Sequence, residues 1–304
     1  MFPCDKRLVR FFRTVVMVLL FTTVITTKAA EIERTGQWPN GEASTISVQD
    51  SAIYLGHGGF ISVFHTRTFT QISQFAASGF IRNIAISGKH AYVSATEAGL
   101  FILDISNPAQ LQQVATIKDI TVFKVAVQGN YAYLATGASG LRILDVSKPN
   151  APKTIIDYLP ESTVEDVAVD GHYAYLACAK AGLCVVDVQN PAAPGKVLTH
   201  GADAWIHHVA ASAGKVFLIG DDITKVVNFS NVSQPQEMAA ISGSIVDVGF
   251  QGNIAYLVND TENRVNLHDL SDAGLKILGA IGDMYSVAVA VQSDKAYVAE
   301  YNSG

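Results

Sequence analysis

The chain has 304 residues, of which 49% are hydrophobic and 16% charged; roughly a quarter would be charged in an ordinary soluble domain, so a disordered, solvating polypeptide is excluded. The formal charge is −6, but the first 30 positions hold five bases (Lys6, Arg7, Arg10, Arg13, Lys28) and one acid, Asp5, leaving 16 basic and 26 acidic residues in the remainder. A body that acidic has no electrostatic footprint for phosphate backbones or anionic lipid, which predicts no nucleic-acid partner and no membrane contact beyond the N-terminal segment.

In chain order, residues 1–30 read as a signal peptide. A basic start precedes the apolar run 15–25, which is short for a membrane span of about 20 residues. Small residues at Thr27 and Ala29 suit a signal peptidase, so cleavage is expected near Ala29 or Ala30, with an uncleaved anchor as the alternative. Removing this segment removes Cys4 and leaves Cys178 and Cys184, which two apparent strands bring within reach of each other. They are either a small-loop bridge or two free thiols in the core. No His or carboxylate stands at ligand spacing from them, so no metal site is assigned.

From residue 43 onward one unit recurs. Residues 164–177 repeat the pattern of residues 122–135, and the aromatic anchor returns at Tyr54, Tyr92, Tyr133, Tyr175, Phe217, Tyr256 and Tyr297, at intervals of 38, 41, 42, 42, 39 and 41 residues. A period near 41 is the length of a four-stranded propeller blade. Each unit holds four short runs rich in β-branched and aromatic residues, separated by Gly, Asn and Pro turns, and helical periodicity is absent outside the signal. The predicted fold is all-β: a β-propeller of about seven four-stranded blades over residues 31–304, the last blade incomplete. After Tyr297 only a turn follows, so the third and fourth strands of blade seven are missing; residues 31–42 have the length for one strand, hardly two, and the expectation is a piece of a longer propeller.

Three third strands read Leu100-Phe-Ile-Leu-Asp104, Leu141-Arg-Ile-Leu-Asp145 and Leu183-Cys-Val-Val-Asp187. They resemble the LVIVD repeat, a motif of bacterial and archaeal exported or cell-surface propellers, and the resemblance covers essentially residues 43–304. Units one, five and six depart from it, with Phe64 and Asn228 at the Asp position and His268-Asp269 in the sixth. The resemblance implies a propeller and an exported location and supplies no catalytic residues. The repeated Asp itself is expected to accept backbone N–H bonds in the turn that follows.

The first strand of each unit is innermost in such a fold. Small residues on one face (Ser47, Ala85, Ala126, Ala168, Ala210, Gly249, Ala290) fit its convergence on the axis, and a branched set beginning Ile46, Ile84 and Val125 faces the neighbouring blade. Two positions earlier on the small face stand Thr45, Asn83, Lys124, Asp166, His208, Asp247 and Ala288, one per blade, which should ring the channel mouth. Asn83, Lys124, Asp166, His208 and Asp247 are therefore candidate ligand-binding residues, the alternative being a solvated rim. Trp205 and His207 join them from the only His-rich loop, where an indole beside polar groups suits a sugar or aromatic ring. His207 and His208 alternate across a strand, which argues against a two-histidine metal site. Catalytic signatures are absent, and Gly56-His-Gly-Gly59 reads as a hairpin turn. No cofactor is expected. The reading is a non-enzymatic, exported binding scaffold (periplasmic, cell-surface or secreted) for an envelope or extracellular protein or carbohydrate. The rival is a lactonase-like propeller hydrolase using Asp166, His208 and Asp247. Alanine at Lys124, Asp166 and His208 is expected to abolish binding without altering stability.

Overall fold

The structure is a computed structural model that describes residues 42–160, 162–201, 204–271, 275–282, 285–293 and 295–300, together with the backbone of 14–20 and 31–38. The described chain is all-β, with no helix long and apolar enough to cross a membrane. Six blades (I to VI) are antiparallel four-stranded sheets in simple meander order. Blade III is representative: Lys124–Gln128, Tyr131–Ala135, Leu141–Asp145 and Lys153–Tyr158 pair in sequence. Alternating apolar residues make each strand, and Gly129 and Gly140, both at positive φ, make two of its turns.

The core lies between blades rather than within them. Seven apolar clusters each join two consecutive blades. The anchor Tyr133, for example, packs with Val164, Val167 and Leu176 of blade IV. Burial pushes the hydroxyls of the anchors Tyr54 and Tyr175 up to about 12, and removing such a side chain from water contributes roughly 1.5–3 kcal/mol each.

The seventh repeat supplies only two strands, Ser286–Gln292 and Lys295–Glu300, and is incomplete as expected. The backbone segments Thr14–Leu20 and Glu31–Trp38 pair beyond its outer edge, with Val18 opposite Tyr297. Residues 31–42 thus supply one strand, as their length allowed, and the additional one is drawn from inside the apolar run assigned to the signal. Blade VII meets blade I through the same kind of apolar contact as the other pairs: Ala288, Ala290 and Tyr297 pack on Ile46, Ile53 and Leu55. At the opposite end of the innermost strands a side chain reaches the next blade's turn. Gln49 Nε2 donates to the Gly88 carbonyl at 2.7 Å, Gln128 Nε2 to that of Gly171 at 2.7 Å, and Gln292 Nε2 to that of Asp50 at 2.8 Å, the last joining blade VII to blade I.

The repeated Asp does what its chemistry suggests. Asp104, Asp145, Asp187 and Asp269 each accept from the backbone N–H two residues on at 2.8 Å, and Asn228 does so at 2.9 Å. In blade I the equivalent residue is His65, not Phe64, because Tyr54 pairs with Val63 as Tyr133 pairs with Ile143. Its Nδ1 accepts from Arg67 N at 3.2 Å, so an imidazole replaces the carboxylate. In blade VI, Asp269 keeps the Asp register, opposite Ile254, and His268 takes the buried leucine position. Hydrogen bonds from Ser106, Ser147 and Ser271 hold the carboxyls of Asp104, Asp145 and Asp269 below the usual range. A depressed folded-state pKa stabilises at neutral pH, and that contribution disappears as pH falls through and below about 4. Asp145→Asn, which copies Asn228, is therefore expected to be nearly neutral in urea unfolding at pH 7 and to flatten the loss of stability between about pH 5 and 3; an unchanged acid limb would remove the carboxylate's role.

Cys178 and Cys184 are free and buried. A hydrogen bond to Cys184 and burial push the Cys178 thiol up, so it stays protonated.

Candidate functional site

The first strands of the seven blades line a central channel, and where they begin it widens into a funnel of about 330 Å³. All seven ring positions, Thr45, Asn83, Lys124, Asp166, His208, Asp247 and Ala288, line it, as their one-per-blade spacing predicted. Lys124, Asp166, His208 and Asp247 also border a second space of about 240 Å³ deeper in the channel, so they form the funnel floor. Trp205 and His207 do not line the funnel. The Trp205 indole stacks on His207 at 5.6 Å with the Lys180 ammonium 5.0 Å from its ring centroid. His207 points away from His208, bridging Glu165 Oε2 and Asp221 Oδ1 at 3.0 Å each.

The geometry of the floor follows from an unmet need of the fold. An innermost strand has no partner on its channel side, so some of its N–H groups face the channel unpaired. On three blades the ring residue answers this for the next blade: Asn83 Oδ1 accepts from Val125 N at 3.2 Å, Asp166 Oδ2 from Val209 N at 3.4 Å, and Asp247 Oδ2 from Val289 N at 2.8 Å. Asp166 is the most engaged. It is 1% exposed, its Oδ1 accepts from Val167 N at 2.6 Å, and its Oδ2 meets His208 Nδ1 at 3.1 Å and Lys124 Nζ at 3.9 Å. The Asp166 carboxylate holds the Lys124 ammonium above its ordinary pKa, against the effect of burial. Burial pushes the Asp247 carboxyl up, opposed by Lys124 and by the N–H groups of Val289 and Val248. The candidate carboxylates are thus turned sideways into the ring wall rather than displayed to the funnel, and Asp166 is no solvated rim residue.

A second ring went unread in the sequence. On six of the seven blades the residue before the ring position also lines the funnel: Ser44, Arg82, Phe123, Glu165, Val246 and Val287, His207 being the exception. Consecutive members touch: the Arg82 guanidinium lies 6.0 Å from the Phe123 ring centroid, and Glu165 pairs with His207. Adjacency to the ring in every repeat was the available signal. Among the described residues, no three His, Cys, Asp or Glu side chains are grouped to hold a metal ion.

The face that carries the funnel is also the apolar one. Of nine large hydrophobic side chains exposed among the described residues, six (Phe60, Phe80, Leu159, Trp205, Ile223 and Tyr285) sit on loops or strand starts at this end, and the other three on outer strands. Of those three, Val197 and Leu278 lie along outer strands and Ile277 opens one at the opposite end.

Seven radial sheets around one channel define a β-propeller. Three of its repeats match the family model described as the LVIVD repeat, at residues 78–119, 121–159 and 162–200, the units whose third strands carry the motif most fully. Solved structures agree on the fold. A functionally unknown protein from Desulfotomaculum acetoxidans superposes with a TM-score of 0.69 at 11% identity, covering 90% of this chain and 95% of that one. The β-propeller domain of Myceliophteria thermophila Cps50 (Swd1) gives 0.68 at 9% identity, over 86% and 97% of the two chains. The computationally designed protein Ika8 gives 0.66 at 13% identity, over 90% and 87%. At such identities the likeness speaks for the fold alone, and no curated protein matches in sequence.

Proposed function

We propose that the protein is an exported, non-enzymatic binding scaffold that docks an envelope or extracellular protein on its funnel face. The observation that carries this is the segregation of exposed hydrophobics: six of nine lie at the funnel end, on loops and strand starts of different blades. Interfaces are enriched in aromatic anchors set among polar groups, whereas an isolated exposed apolar residue needs no explanation. The floor supports binding over hydrolysis, because Asp166 and Asp247, which a metal or general-base mechanism would use, are committed to backbone amides of the next blades. Export is the reading of the basic start and apolar run of residues 1–30. It competes with the use of Thr14–Leu20 as a strand of blade VII, since one segment cannot serve both ends at once.

The test uses the chain expressed in its own host with a photo-cross-linking residue at Phe80 or Tyr285, and, as controls, at Lys89 or Asn130 on the opposite face. Cross-links to one discrete envelope protein are expected from the first pair and not from the second, on a chain whose first residue is Glu31 or Ala30. Equal cross-linking from both faces, or none, overturns the docking face; a chain that begins at Met1 and stays in the cytoplasm overturns export.

A further inference from the structure

Beyond the protein-docking rim, the funnel floor presents a specific set of hydrogen-bonding groups. Because Val125 N–H takes the Asn83 oxygen at 3.2 Å, the amide is oriented with its NH₂ free, and no described residue accepts from it. The Lys124 side chain is one-third exposed, and the salt-bridge partner of its ammonium is the distant Asp166 oxygen at 3.9 Å. His208 is about half exposed, and its Nδ1, facing a carboxylate at 3.1 Å, carries the proton. In the neutral ring Nε2 is then an acceptor on the exposed side. The cavity therefore offers two donor groups and one acceptor at one level, with the half-exposed Phe80 ring and Phe123 along the wall above.

Charge decides among ligands that could use this set. The groups lining the funnel include Arg82 and Lys124 against Glu165, Asp166 and Asp247. That balance leaves no excess positive potential for an anion. A cation would find both Asp166 oxygens already engaged and, beside them, the Lys124 ammonium and the Arg82 guanidinium. A neutral ligand with adjacent hydroxyls fits: one hydroxyl donates to His208 Nε2, neighbouring oxygens accept from Lys124 and Asn83, and the apolar face of the ring lies on an aromatic edge. The volume of about 330 Å³ is at the low end for ligand sites, which suits one ring rather than a long chain.

We propose that the funnel floor binds a single neutral sugar residue, held by Asn83, Lys124 and His208. This rests on reading the funnel face as a binding face. The chemistry is the same for a free hexose and for the end of a glycan.

The test is calorimetric titration of the intact protein with the methyl glycosides of glucose, galactose and mannose, and with glucuronate and acetate as anionic probes. At least one neutral glycoside should bind with a dissociation constant on the order of 1 mM, as expected for so small a ligand. His208→Phe and Lys124→Met should each weaken it about tenfold or more, while His208→Gln, whose amide oxygen supplies an acceptor, should restore most of the loss. Thermal unfolding of each variant checks that the fold is retained. A disaccharide ending in the same sugar separates the sources: retained affinity assigns a glycan terminus, lost affinity a free sugar. No binding by any of the three glycosides, binding indifferent to both substitutions, or tighter binding of glucuronate or acetate overturns the proposal. Face-specific cross-linking that persists alongside such a failure leaves the docking reading standing, so the two fail separately.

Discussion

Gly99→Ala is expected to cost about 3 kcal/mol or more in urea unfolding, whereas Gly171→Ala should cost only about 1 kcal/mol. Both glycines sit at positive φ, +88° and +61°, so the left-handed penalty for an L side chain applies to both. They differ in what the new methyl meets. At Gly99 a Cβ would lie 2.0 Å from the Ile117 carbonyl oxygen, a backbone atom at the end of the outer strand of the same blade. At Gly171 nothing lies within 4 Å. The Gly99 peptide is fixed in turn by its own N–H bond to the Thr96 carbonyl and by the bond its carbonyl accepts from Ala95 N. Relief of the clash therefore requires the third-strand turn or the outer strand to move. Gly140 and Gly182 repeat the arrangement, with 2.3 Å to the Tyr158 oxygen and 2.4 Å to that of Gly201. The same Gly before the Leu of each matched repeat is thus set by a close backbone approach at the funnel end of the blade. Equal costs at Gly99 and Gly171 would show that the outer strand yields freely, and this account of the repeat would be wrong.

The contrast between these glycines marks what was readable in the chain. A period of about 41 residues and the aromatic anchors place every inner strand, because a strand's side chains alternate strictly and a one-residue slip would bury Asp247 and Lys124 among the valines. The ring of Thr45, Asn83, Lys124, Asp166, His208, Asp247 and Ala288 follows from that alone, and the structure gathers all seven on one funnel. Three things depended on contacts that no period encodes. His65 performs the turn bond of an aspartate, so a search for carboxylates in blade I settles one residue early on Phe64. The strands beyond the outer edge of Lys295–Glu300 come from the other end of the chain, at a separation no repeat announces. The direction in which Asn83, Asp166 and Asp247 turn their oxygens is set by unpaired N–H groups one blade away, some 42 residues on. Charge and position suggested a displayed site, whereas the backbone's demand for acceptors pulls the oxygens into the wall.

That demand makes Asp166 the residue on which stability and function part. Asp166→Ala strips acceptors from the N–H groups of Val167 and Val209 and from His208 Nδ1, and leaves Lys124 without its counter-charge. A buried group that loses its partner costs about 1–3 kcal/mol, and breaking a buried charged contact more; partial access to water from the channel tempers this. The expected loss is about 2–4 kcal/mol, which at roughly 2 °C per kcal/mol for a chain of this size lowers the unfolding midpoint by about 4–8 °C. Asp166→Asn keeps an oxygen for one N–H but not the charge, and should lose about half as much. His208→Ala, at a half-exposed ring, is expected to stay within about 1 kcal/mol of the parent protein. The expectation that alanine at Lys124, Asp166 and His208 would leave stability alike untouched therefore gives way to a split: Asp166 clasps blade IV to blade V, and the exposed ends of Lys124 and His208 remain for a ligand. Calorimetric midpoints for the three single variants, measured side by side, decide it; an Asp166→Ala protein as stable as His208→Ala would return the carboxylate to the candidate binding groups and dissolve the clasp.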